Sequence, residues 1–98
     1  MHARVGVYQV RPGQLQQAVS VITETVAPAM RRQPGFQGIL LLADEKASRI
    51  MSISTWDSEE AMRVAEGSGG YFQDALVRLG PLFIGSPVVE HYDVEVQA

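Results

Sequence analysis

The residues with chemistry to offer are few and lie in three places. Near the start, Arg4, Gly6 and Tyr8 alternate along a run of valines, so a cation and a phenol flank a position with no side chain on one strand face. The gap at Gly6 leaves room for a ligand and marks that face as the expected cavity side, with a solvated sheet edge as the alternative for Arg4. In the middle, Ser52, Ser54 and Trp56 share one face of a second alternating run, which ends on the only tryptophan. Later, Tyr71 opens a helical segment as a hydrogen-bond donor that either reaches the cavity or simply packs.

Other chemistries find no support. There is no cysteine, hence no thiolate or disulfide, and no hydroxyl with the spacing of a nucleophile and its base. His2 and His91 each stand alone; His91 alternates with Asp93 and Glu95 in the manner of an exposed strand, and no metal-ligand spacing occurs. Glu59-Glu60 is a helix first turn, where acids suit the dipole. Gly67-Ser68-Gly69-Gly70 follows no strand and reads as an inter-helix joint, not a nucleotide loop.

These groups need elements to hold them. Ala3 to Val10 is a strand, with Ala3, Val5 and Val7 opposite Arg4, Gly6 and Tyr8. Pro12-Gly13 opens a helix whose stripe is Leu15, Ala18, Val19, Ile22, Val26, Ala29 and Met30, with a kink expected near Thr25 to Ala27 because Pro28 lacks an N–H. After Pro34-Gly35, the run Phe36 to Ala43 is apolar on both faces: Phe36, Leu40 and Leu42 on one, Ile39, Leu41 and Ala43 on the other. Asp44 to Ala47 turns, and Ser48 to Trp56 returns with Met51, Ile53 and Thr55 behind Ile50, Ser52, Ser54 and Trp56. A second helix starts at Asp57 or Ser58 and runs to Glu66; a third contains Tyr71, Phe72, Ala75, Leu76 and Leu79 and stops at Gly80-Pro81. Val88 to Val96 is the last strand.

The order β, α, β, β, α, β predicts an α+β ferredoxin-like fold, a four-stranded antiparallel sheet with both helices on one face. At 98 residues and 46% hydrophobic content, residues 1–98 form a single expected domain. The second apolar face of Phe36 to Ala43 needs a cover that so short a chain cannot supply, which points to a partner subunit. A net charge of −3 with eight scattered Lys and Arg excludes a nucleic-acid footprint. No stretch approaches the roughly 20 apolar residues of a membrane helix, no signal peptide is visible, and the lack of cysteine suits a cytoplasmic location.

Arg11-Pro12-Gly13, Pro34-Gly35-Phe36-Gln37-Gly38 and Ser54-Thr55-Trp56-Asp57-Ser58-Glu59-Glu60-Ala61 together resemble the antibiotic biosynthesis monooxygenase (ABM) superfamily over nearly the whole chain. The resemblance implies a homodimer, a dimeric α/β barrel in which two sheets face each other, with a ligand cavity inside each protomer between sheet and helices. It also implies an activity range from cofactor-independent monooxygenation of aromatic or quinone-like metabolites, with no cofactor or metal, to members without a known reaction. Trp56 resembles the tryptophan bordering that cavity, placed to pack a flat substrate and offer an indole N–H to an oxyanion, or else to cap the core.

Quinone-forming members pair this tryptophan with Asn, Tyr and Arg, where this chain has Ser52, Met62 and Gln73; the acidic proton and the positive charge are thus missing at those positions. Haem-degrading members need a first-strand Asn and a ligating His in the second helix. This chain has Gly6 near the first and no histidine between Trp56 and Gly80. Two readings follow: an oxygenase built around Trp56, or a non-catalytic binding or assembly module whose interior is filled by its own side chains.

Overall fold

Four stretches of alternating apolar residues become strands: β1 His2–Val10, β2 Phe36–Asp44, β3 Arg49–Trp56 and β4 Phe83–Asp93. In the computed structural model, which describes residues 1–68 and 70–98, they form one antiparallel sheet in the order β2-β3-β1-β4. Among the described residues six helical segments, α1 Leu15–Val21, a π turn Ile22–Val26, α2 Ala27–Arg31, α3 Glu59–Ser68, α4 Tyr71–Leu79 and a 3-10 turn Gly80–Leu82, provide apolar side chains that pack on this sheet. The fold is ferredoxin-like α+β.

The period of two decides what each strand contributes. Arg4 pairs with Ser54 and His91, and Gly6 with Ser52 and Val89, so the even positions of β1 and β3 share the inner, helix-covered face. Val10, Ile50, Trp56 and Met62 are the largest fully buried side chains and mark the centre of the core. On the outer face, Leu40 is 62% exposed and Val88 57%, with Leu42 and Tyr92 also open to solvent. That is a broad apolar surface for one face of a sheet to leave open.

Two irregularities change what strict alternation predicts. Phe36 pairs with Trp56 but Gly38 already pairs with Thr55, so a bulge at Gln37 turns Phe36 to the inner face, opposite to Leu40 and Leu42. In β4 the register slips between Val7 and Gln9, where Gly85 takes φ +70°. The strand consequently begins at Phe83, five residues earlier than Val88, and it ends at Asp93, before Val96. Phe83 and Ile84 pair across the slip with Val10 and Gln9, so an apolar pair that reads as loop becomes strand.

The proline in the first helix acts one turn ahead of itself. Without an N–H, Pro28 cannot accept the regular winding, and residues Ile22–Val26 widen into a π turn in which the Ala27 N–H bonds the Ile22 carbonyl. Elsewhere the chain is tied by local polar bonds. Ser58 Oγ accepts the Ala61 N–H at 3.1 Å and caps α3, while Asp44 Oδ1 accepts the Ala47 N–H at 3.1 Å and closes the hairpin. Gly35, at φ +83°, accepts the Asp57 N–H at 2.8 Å, and a β-carbon there would lie 2.7 Å from the Ala61 methyl. Among the described residues no helix is long and apolar enough to cross a membrane.

Candidate functional site

The inner face of the sheet does not close completely on the helices. A cavity of about 130 Å³ remains between them. From the sheet it is walled by Arg4, Tyr8, Ile39, Ser52, Ser54, Phe83, Pro87 and Val89; Ile22, Val26 and Met30 come from the first helical layer, and Tyr71, Phe72, Ala75, Leu76 and Leu79 from α4. The space is that of a single aromatic ring, since an engineered apolar cavity of about 150 Å³ takes up benzene. It is neither a filled interior nor the several-hundred-Å³ cleft typical of larger ligands.

The polar groups of this wall are coupled. Arg4 Nε lies 2.9 Å from Glu66 Oε1, with both side chains largely shielded from solvent. Its Nη1 donates to Tyr8 Oη at a long 3.4 Å, and its Cζ stands 4.8 Å from the centre of the Phe72 ring, a cation–π contact. The Tyr8 ring stacks on Phe83 at 4.9 Å and folds back over Gly6. Gly6 therefore does not open onto the cavity itself; its missing side chain is the space in which the Tyr8 ring lies.

Tyr71 meets Phe72 edge-on at 6.4 Å. Burial, reinforced by the Glu66 carboxylate and by Tyr8 and opposed by Arg4, pushes its phenol up to about 12. At neutral pH Tyr71 is a firm proton holder, suited to donating a hydrogen bond and unsuited to acting as a base.

Two sequence candidates lie elsewhere. Trp56 is 0% exposed and outside the cavity wall. Its ring meets Phe36 edge-on at 5.3 Å, and its indole N–H donates to Ser54 Oγ at 3.1 Å. The bulge that turns Phe36 inward is what completes this packing. Gln73 is exposed, because Tyr71, Ala75 and Leu79 set the buried face of α4 and a residue two positions on points away. The cavity thus takes Arg4, Tyr8, Ser52, Ser54 and Tyr71 from the candidates and excludes Trp56, Gln73 and, behind Tyr8, Gly6.

Sequence reasoning missed Glu66, Phe72, Phe83 and Pro87. Glu66 carries a signal in retrospect, an acid in the last turn of a helix, where carboxylates are disfavoured. The histidines are also not solitary. The rings of His2 and His91 stack at 5.8 Å, His2 Nδ1 lies 3.0 Å from Asp93 Oδ1, and His91 Nδ1 lies 3.3 Å from Met62 Sδ. No group of three or more metal-ligating side chains assembles among the described residues.

Fold and cavity define a class: a ferredoxin-like protein with a single-ring recess between its sheet and its helices. The match to known proteins narrows this. The model of the antibiotic biosynthesis monooxygenase family matches residues 1–78, and the chain belongs to that family. It is 28% identical over 94 residues to Rv2558, an uncharacterised protein of Mycobacterium tuberculosis, covering 96% of this chain and 39% of that one. The chain therefore spans about two-fifths of the length of the curated relatives it matches. Among solved structures, a monooxygenase from the gene ActVA-Orf6 of Streptomyces coelicolor, in complex with nanaomycin D, superposes with a TM-score of 0.86 at 22% identity, covering 99% of this chain and 89% of that one. The cofactor-independent oxygenase SnoaB of Streptomyces nogalater gives a TM-score of 0.82 at 23% identity, covering 98% and 94%. At such identities these structures share the fold.

Proposed function

We propose that this chain is a small monooxygenase-like protein that takes a flat aromatic or quinone-like metabolite into the recess between sheet and helices and oxygenates it without a cofactor. The observation that carries this reading is the recess itself, in which Arg4, Tyr8, Ser52, Ser54 and Tyr71 are the polar groups of a mainly apolar wall. In such a reaction the substrate, as its own phenolate or enolate, reacts with O₂ at carbon. The resulting hydroperoxide loses water and leaves a carbonyl, so one oxygen atom enters the product and the other leaves as H₂O. The protein's share is to hold the ring, stabilise the anion with the Arg4 guanidinium, donate from Tyr71 and exclude water.

The same reading makes the chain a cytoplasmic homodimer joined through the outer sheet face, which would cover Leu40, Leu42, Val88 and Tyr92. A specific observation favours a second reading, a non-catalytic binding or assembly module. The Trp56 indole N–H is already committed to Ser54, leaving no free donor there for an oxyanion. Oxygen consumption against a panel of one-ring hydroquinones separates the two. Turnover that falls in Arg4→Met supports the oxygenase; binding of these compounds without oxygen uptake supports the module.

A further inference from the structure

Arg4 is the one charged side chain among the described residues lining the recess, and the way it is neutralised is unusual. Its partner, Glu66, sits in the last turn of α3, Glu59–Ser68, where the negative end of the helix dipole disfavours a carboxylate. An ion pair this shielded adds little stability, because the desolvation of both groups offsets their attraction. Glu66 is thus held against the field of its own helix for small return, and at 22% side-chain exposure it has a path to water.

The guanidinium is also under-used. It carries five N–H donors in a planar fork. Nε lies 2.9 Å from Glu66 Oε1 without making a hydrogen bond to it, Nη1 makes the long bond to Tyr8 Oη, and the Phe72 ring covers a face of the plane. Among the described residues no other acceptor meets the fork.

We propose that the recess recognises a one-ring aromatic anion, a phenolate or a carboxylate, whose oxygen replaces Glu66 on Arg4, so that Glu66 is a built-in stand-in that the ligand displaces. The ring of such a ligand fits a space of about 130 Å³ beside Phe72, Tyr8 and Phe83, and the displaced carboxylate regains hydration. This inference rests on the recess being the ligand site, as proposed above, but not on oxygen chemistry.

The test uses para-nitrophenol, whose phenolate absorbs visible light, with nitrobenzene as a neutral ring of similar shape. Spectrophotometric titration of the wild-type chain across pH is expected to show the bound probe ionising at least about one pH unit lower than free, a tenfold preference for the anion. Arg4→Met should abolish that preference and weaken binding about tenfold or more, while Arg4→Lys keeps part of it. Glu66→Gln should tighten nitrophenolate binding by about tenfold and leave nitrobenzene unchanged.

The inference is overturned if nitrophenol fails to bind or binds only as the neutral phenol. It is equally overturned if Glu66→Gln leaves anion binding unchanged or weaker, or if that variant tightens nitrobenzene as much, since added space would then be the cause. Circular dichroism checks that each variant is folded; should Arg4→Met unfold, Arg4→Lys and Glu66→Gln decide. Anion binding that follows these variants without oxygen uptake refutes the oxygenase and leaves this inference standing. Oxygen turnover indifferent to both positions overturns this inference, and with it the anion-stabilising role of Arg4, while oxygenation itself stands.

Discussion

Gly6→Ala tests how the inner face is built. A β-carbon at this position would lie 2.7 Å from Cζ and 2.8 Å from Cε2 of Tyr8, and nearer still to its Oη, while no backbone atom is among its closest neighbours. The Tyr8 ring must therefore leave. Its departure costs the stack on Phe83, about 0.5–1.5 kcal/mol, and the long bond from Arg4, about 0.5–1.5 kcal/mol. Against this, replacing a strand glycine by alanine returns about 0.5–1 kcal/mol. The expected net destabilisation is about 0.5–2 kcal/mol, and each kcal/mol lowers Tm by about 4–8 °C in a domain of this size.

In a Tyr8→Leu background both costs vanish and only the gain remains, so the same substitution should become stabilising by about 0.5–1 kcal/mol. Urea unfolding of the four proteins in this cycle measures a coupling of about 1–3 kcal/mol. If Gly6→Ala has the same sign and size with and without the Tyr8 ring, the glycine is not there to make room for it. The account of the cavity floor would then be wrong.

Three further outcomes are expected. Ser54→Ala leaves the buried Trp56 indole N–H without its acceptor and should cost about 1–3 kcal/mol by urea unfolding; a neutral result would mean that the bond contributes nothing. The Tyr71 phenol ionises near 10 when unfolded and at about 12 when folded, so ionisation favours the unfolded chain. The stability this group contributes is complete below pH 10 and lost as pH rises towards 12. Tyr71→Phe should flatten that decline in alkaline melts, and an unchanged slope would refute the assignment. Leu40→Asp places a charge on the exposed outer face, at the edge strand β2, so sedimentation should find a monomer where the parent chain is a dimer; a parent that already sediments as a monomer removes the interface proposal.

The sheet's inner face was readable because Arg4, Gly6 and Tyr8, like Ile50, Ser52, Ser54 and Trp56, obey a period of two that tertiary packing had no reason to disturb. Where the period breaks, reading failed. Nothing in Phe36-Gln37-Gly38 announces that Gln37 is bulged out, so Phe36 appeared on the same face as Leu40 and Leu42 and its contact with Trp56 stayed hidden. Phe83-Ile84 was lost for the same reason, since Gly85-Ser86-Pro87 reads as loop until a left-handed Gly85 makes it a strand irregularity. The site suffered from distance. Glu66 and Arg4 are 62 residues apart in sequence, and only the closure of α3 onto β1 makes them partners. The likeness of Gln73 to a functional position was one of alignment alone, and the phase of α4 turns it to solvent.

The π turn has a consequence for how the first helical layer is kept in phase. Ile22, Val26 and Met30 recur every four residues, and in regular α winding each such step rotates the stripe by about 40° around the helix axis. Carried over the two steps from Ile22 to Met30, that drift would reach about 80° and turn Met30 away from the wall that Ile22 faces. A turn with one additional residue takes the rotation back, so all three side chains reach the same recess. The turn acts as a phase corrector, and loss of one residue between Ile22 and Val26 would alter the aim of the wall far more than the length of the helix.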